Sequence, residues 1–232
     1  MIILCIIPAR SGSKGISNKN IKLFNGKPLL AWSILQALES KYSMKIIVST
    51  DSKDYKYIAE SFGAEVPFLR PSYISDDLST DHEFMVHCLE FLKEHQKYVP
   101  DIILHLRPTQ PCRKVTDIDK CLDLFIQNYK EFDSLRTVVE TNKSPYKMYN
   151  IQNNKLIPLF QTIDSLIEPY NQARQLLPTS YLHNGYIDIT KVSTVLNLNS
   201  VSGNNVFPYI MNQIDTIDID TYDDWENAKQ VL

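Results

Sequence analysis

The chain opens with MIILCII, an unbroken apolar run that Pro8 and Gly12 bring to an end. A strand without polar alternation cannot lie on a sheet that has one wet face. It needs cover on both sides, which is the condition of a central parallel strand. With no basic segment before it and Pro8 and Arg10 close behind, the run is not expected to act as a signal peptide. No stretch approaches the roughly 20 apolar residues that a bilayer requires.

The pattern that follows suits that first strand. Apolar positions at helical spacing predict a helix opened by Pro28, with Leu29, Trp32, Leu35 and Leu38 on one face. A strand is expected at 45–50, a helix at about 54–62 ending at Gly63, and a short strand at 64–71. Next come a helix at 79–95 capped by Ser79 or Thr80, a strand at 101–106, a helix at about 115–128 and a strand at 134–139. Strands alternating with helices predict an α/β, doubly wound architecture with a mostly parallel sheet. The 232 residues read as a single domain, 1–232, with one excursion at about 145–180. That segment is rich in Asn, Gln, Pro and Tyr, has no clean period, and is expected to be a lid or an oligomerisation arm. A strand of alternating Ile and Asp and a terminal helix close the chain.

Charge is distributed unevenly. Residues 6–28 carry Arg10, Lys14, Lys19, Lys22 and Lys27, and no acidic residue precedes Glu39, yet the formal net charge is −3. A local basic loop on an acidic chain argues against a nucleic-acid coat. At the carboxyl end of the first strand it occupies the usual place for a nucleotide. It is neither a Walker loop nor a dinucleotide fingerprint, since Gly12 and Gly15 form only GxxG. Small residues would let backbone N–H groups approach an anion, and the helix beginning at Pro28 would add a positive end. A plain solvated basic loop fits the composition too. The four cysteines (5, 88, 112 and 121) form no CxxC pair and read as reduced thiols of a cytoplasmic protein, with no zinc site and no disulfide framework.

The second constellation is Asp218-Ile219-Asp220. In a strand these carboxylates would project from one face while Ile217 and Ile219 face the core. Such a pair suits Mg²⁺ bridging to phosphates, or else a solvent-facing strand edge. Asp223 and Asp224 are expected in the first turn of the last helix, capped by Thr221. A basic loop and a metal pair together fit attack at phosphorus with pyrophosphate leaving.

Six segments in this order resemble one family: IIPARSGSKGISNKNI, FLRPSYISDDLSTDH, LRPTQPCR, SPYK, RQLLPTSYLHNGYI and IDID. They are similar to the CMP-sialic acid synthetase (acylneuraminate cytidylyltransferase) family, including its CMP-legionaminic acid branch. The resemblance covers nearly the whole chain. It implies the nucleotide-diphospho-sugar transferase fold, with the 145–180 excursion as a protruding dimerisation segment. It implies a cytoplasmic homodimer or dimer of dimers that joins CTP to a nine-carbon 2-keto acid sugar, gives the CMP-sugar and pyrophosphate, requires Mg²⁺, and serves surface glycan and lipopolysaccharide synthesis. CTP would be held by Ala9, Arg10, Ser13, Lys19, Asn20, Arg70 and Ser79, with Arg10, Lys19 and Asp220 acting in the chemistry. The metal would fall to Asp218 and Asp220, and the sugar to Arg107, Lys147, Arg174 and Asp188, with Lys147 possible from the neighbouring subunit.

The chain departs from the pattern at two places. Arg107 stands where sialic acid enzymes have Gln, and Tyr186 and Asp188 stand where many members have a small residue and then Tyr. A guanidinium in place of an amide changes donors, charge and size in a pocket for hydroxyl and acetamido groups. His105 reads as a core or rim histidine, His82, His87 and His95 as helical, and His183 as a turn residue, none of them assigned as a base. The competing readings are a cytidylyltransferase for an eight-carbon keto acid sugar and a nucleotide-binding module without turnover.

Overall fold

The computed structural model describes residues 1–212 and 217–231. Its elements, in chain order, are β1 (Ile3–Pro8), β2 (Leu23–Phe24), β3 (Lys27–Pro28), α1 (Leu29–Leu38), β4 (Lys45–Ser49), α2 (Lys53–Ser61), α3 (Asp81–Gln96), β5 (Ile102–His105), α4 (Val115–Gln127) and β6 (Ser134–Thr141). Then follow β7 (Tyr149–Gln152), β8 (Lys155–Pro158), β9 (Thr162–Ile163), β10 (Leu166–Ile167), β11 (Ser180–Lys191), α5 (Val192–Asn197), β12 (Val206–Met211) and α6 (Tyr222–Val231).

Six strands form one sheet in the order β12-β6-β11-β5-β1-β4. β1 runs parallel to β4 and β5, and β12 parallel to β6, while β11 is antiparallel to both its neighbours. The sheet is therefore mostly parallel, as the opening run requires. On β1, Ile3, Cys5 and Ile7 enter a core shared with α1, α2 and α4. Leu4 and Ile6 point the other way, into a core shared with α3 and α5. Each such side chain, once fully buried, contributes roughly 1.5–3 kcal/mol of hydrophobic stabilisation. A third cluster, with Ile16, Phe24, Leu29, Ile219 and Trp225, sits under the basic loop and ties it to α6.

Three sequence expectations are corrected here. Residues 64–71 are not a strand: only Glu65 bridges to Ile47, because Pro67 and Pro71 withhold ladder donors. Residues 217–220 are not a strand either; the segment crosses the basic loop, and Ile219 N–H donates to the Thr109 carbonyl at 2.9 Å. The earlier part of that expected strand, 213–216, lies outside the described residues. Ile219 is buried as expected, and Asp218 and Asp220 are exposed. His183 lies in β11 rather than in a turn. The excursion is not featureless, since β7–β8 and β9–β10 form two small hairpins. The first turns through Asn153 and Asn154, both at positive φ, as tight hairpins favour.

Candidate functional site

The loop after β1 has no regular hydrogen-bonded ladder and instead wraps a cavity of about 270 Å³. Arg10, Ser13, Lys19, Asn20, Arg70 and Ser79 all line it, drawn from three separate stretches of sequence. Ala9 lies beneath the wall: it is fully buried, and its N–H donates to the Ser49 carbonyl at 2.9 Å. Pro8, Asp81, Phe84, Arg107, Pro108 and Thr109 complete the lining; of these only Arg107 was singled out from sequence, and for the sugar. The helix that starts at the cavity is α3, not α1, which contributes no lining residue. Thr80 and Glu83 cap α3 reciprocally, so its first turn is fixed.

The five basic residues of the opening do not act alike. Lys22 lies over the Tyr222 ring and Lys27 over Trp32, away from the cavity. Arg10 donates to Asp77 at 2.6 Å, and Lys14 pairs with the same carboxylate. Lys19 is 9% exposed, and its Nζ donates to the Ile219 carbonyl at 2.6 Å and to Asp220 Oδ1 at 3.0 Å. Asn20 Nδ2 reaches back to the Arg10 carbonyl at 3.2 Å, closing the loop on itself. Gly15 abuts the tail directly: a Cβ there would stand 2.4 Å from the Asp220 carbonyl oxygen.

Arg70, 5% exposed, is held by Ser49 through its Nε (3.0 Å to Oγ) and Nη2 (2.7 Å to the carbonyl), with Phe84 under its guanidinium. Burial lowers its pKa to about 10, so it remains a cation at neutral pH. Arg113, also buried, was overlooked in the sequence. It donates to the carbonyls of Tyr186 (2.5 Å) and Arg107 (3.0 Å) and to Gln36 Oε1 (2.8 Å), pinning two walls of the site together.

Asp218 and Asp220 flank the same region. Desolvation raises the Asp218 carboxyl above its ordinary value, and the charge of Asp220 adds to that, against a hydrogen bond from Thr109. Two hard oxygen donors whose charges oppose one another suit a hard divalent cation. Among the described residues no group of three His, Cys, Asp or Glu could hold a metal. Mg²⁺, which usually takes one or two carboxylates and completes its shell with phosphate and water, needs no such group. The residues fit it.

A second cavity, of about 360 Å³, adjoins the first through Arg107, which lines both. Gln110, Val139, Leu182, His183, Asn184, Gly185 and Asp218 line the rest. Arg107 donates to Asp188 Oδ2 at 2.6 Å and to Asp81 Oδ2 at 2.9 Å. Burial works to lower its pKa, but these two carboxylates carry it above the ordinary value. β11 shifts register between His183 and Asp188, with Gly185 at φ 64°. The bulge lets two residues five apart meet, His183 Nε2 and Asp188 Oδ1 at 2.7 Å. His105 is buried beside this network, and burial lowers its pKa to about 4, so it is neutral, as a core histidine should be.

Lys147 and Arg174 line neither cavity. Lys147 Nζ is held by the carbonyls of Gln172 (2.7 Å) and Tyr170 (3.3 Å), and Arg174 lines a separate hollow of about 130 Å³ with Glu140, Ser144 and Thr179.

A cytidylyltransferase family matches residues 4–202. The CMP-N,N'-diacetyllegionaminic acid synthase of Legionella pneumophila is 34% identical over 100% of this chain and 97% of its own length. The N-acylneuraminate cytidylyltransferase of Escherichia coli is 33% identical over 97% of this chain, which spans 51% of that protein. Among solved structures, a CMP:2-keto-3-deoxy-manno-octonic acid synthetase complexed with CTP superposes with a TM-score of 0.71 at 16% identity, over 100% of this chain and 98% of that one, a likeness of fold.

Proposed function

The chain belongs to the cytidylyltransferase family, and from that membership we propose that it joins CTP to a nine-carbon 2-keto acid sugar of the legionaminic or sialic type, releasing pyrophosphate. One observation carries the reading. Six residues assigned to CTP by sequence resemblance line one cavity, and that cavity shares Arg107 with a second, which suits the acceptor sugar.

In this reading Arg10, Ser13 and Lys19 bind the triphosphate, and Arg70 and Asn20 position the nucleoside. Lys19 is the pivotal group: tethered to Ile219 and Asp220, it brings positive charge to the place where leaving-group charge develops. The sugar hydroxyl attacks the α-phosphorus as the bond to the β-phosphate oxygen breaks. Asp218 and Asp220 would hold Mg²⁺, which supplies charge neutralisation for the triphosphate when bound.

We assign the excursion to a homodimer contact. It presents Ile151, Leu156, Phe160, Ile167 and Leu176 to solvent, an apolar set that suits cover by a second copy. Lys147 and Arg174 sit on or beside that arm, which suits delivery of both to a partner's sugar cavity. The four free cysteines accord with a cytoplasmic enzyme, and a place in surface glycan or lipopolysaccharide synthesis follows from the sugar class.

The test is pyrophosphate release from CTP against sialic, legionaminic, pseudaminic and eight-carbon acids. Turnover confined to one or more nonulosonic acids is expected. Release only with the eight-carbon acid moves the substrate assignment, and no release with any acid refutes the proposal.

A further inference from the structure

The second cavity contains a charge pattern that its lining alone does not convey. Asp188 is 5% exposed, and both of its oxygens are engaged, Oδ2 by Arg107 at 2.6 Å and Oδ1 by His183 at 2.7 Å. Burial by itself would raise this carboxyl, but the His183 hydrogen bond and the Arg107 charge hold it well below the usual carboxylate range. An anionic acceptor orients the partner ring: Nε2–H is directed at Asp188, and Nδ1 is turned away from it. Among the described residues nothing pairs with that Nδ1.

Arg107 faces the same cavity from the other side of Asp188. Its charge is already met by two carboxylates, Asp188 and Asp81, so this wall offers no surplus cation for the sugar's own carboxylate. A guanidinium has five N–H donors, and these two ion pairs do not exhaust them. At Gly185 a Cβ would stand 3.3 Å from the Arg107 side chain, so the bare backbone there lets the guanidinium lie against the strand. The wall thus presents the remaining guanidinium donors of Arg107 beside His183 Nδ1, the two side chains held together by a shared buried carboxylate.

We propose that Arg107, Asp188 and His183 act as one recognition unit for a secondary amide on the acceptor sugar, with Arg107 donating to the amide carbonyl and His183 Nδ1 accepting its N–H. The inference rests on the sugar-transfer reading above and deepens it. Of the three residues at which the chain departs from the family pattern, Arg107 and Asp188 fall inside this unit and touch one another, while Tyr186 is buried outside it. Asp188 is a positioning residue here; Arg107 and His183 meet the substrate.

The test uses pyrophosphate release at saturating CTP with matched nine-carbon acids that differ at one carbon, acetamido against hydroxyl, at C5 and at C7. The wild type is expected to favour the amide member of one pair by about tenfold, chiefly through KM, because a site built to pair with a polar group rejects the analogue lacking it. His183→Leu, at a partly exposed position, is expected to bring that preference within about twofold while the KM for CTP holds. Arg107→Gln and Asp188→Asn together are expected to lose less than the product of their single losses, the signature of coupled residues. A wild type indifferent to the amide in both pairs, or His183→Leu with its preference intact, overturns the inference and leaves the enzyme assignment standing. A wild type inactive with every acid overturns the assignment and this inference together.

Discussion

Gly15→Ala tests whether the basic loop and the acidic tail work as one surface. The new Cβ would lie 2.4 Å from the Asp220 carbonyl oxygen, where real Cβ contacts essentially never fall below 3.0 Å, so loop and tail must part by at least about 0.6 Å. The obstacle is backbone, which cannot rotate aside as a side chain would. The same separation stretches the Lys19 contacts to Ile219 and Asp220, now 2.6 and 3.0 Å. Misplacement by about 1 Å costs up to a hundredfold in rate when positioning carries the catalysis. We expect kcat/KM for pyrophosphate release to fall about 10- to 100-fold, or about 1.4–2.8 kcal/mol of transition-state stabilisation. Gly12→Ala is the control. Gly12 sits at φ 77° with nothing within 4 Å of a Cβ, so it adds backbone strain of about 1–2 kcal/mol without moving the tail. Wild-type kcat/KM in Gly15→Ala, measured on protein of unchanged circular dichroism, would refute the claim that the apposition matters.

Lys19→Ala is expected to lower kcat by about 100- to 1000-fold, the loss seen when one donor to developing charge is removed, with single-turnover kinetics as the measurement. Asp220→Asn should abolish Mg²⁺-dependent pyrophosphate release while thermal unfolding stays within a few degrees; near-normal turnover would remove Asp220 from the metal pair. His105, neutral and buried with a folded pKa of about 4, opposes folding once the unfolded chain begins to bind its proton. Because that pKa is depressed, the unfolded state takes up more protons between pH 6.5 and 4. Stability should therefore be full above pH 6.5 and fall by about 3 kcal/mol on acidification to pH 4, a slope that His105→Gln should flatten in urea titrations.

The alternation of strands and helices was legible because local patterns carry it: the apolar run of β1, the helical spacing in α1, the cap of α3. The residues that line the first cavity were legible because most of them lie in short contiguous motifs. What escaped depends on distant partners. β11 includes Asn184-Gly185, which reads as a turn and is a bulge whose geometry is imposed by Thr137 and Arg107 on other elements. Arg113 looks like an ordinary loop cation until Tyr186, 73 residues away, supplies its carbonyl. His183 reads as a turn residue because its bond to Asp188 exists only once the strand bulges. The Asp218–Asp220 segment alternates like a strand but takes its shape from Lys19, 200 residues earlier.

That last distance has a bearing on biogenesis. Synthesis at roughly 5–20 residues per second separates the emergence of Lys19 from that of Ile219, 200 positions later, by about 10–40 s. During that interval the ribosome carries a basic loop whose lysine lacks its tether, on a chain that does not yet include Asp218 and Asp220. The tethering of Lys19 therefore arrives with the tail rather than with the sheet, and until Ile219 and Asp220 are made Lys19 has neither of its anchors.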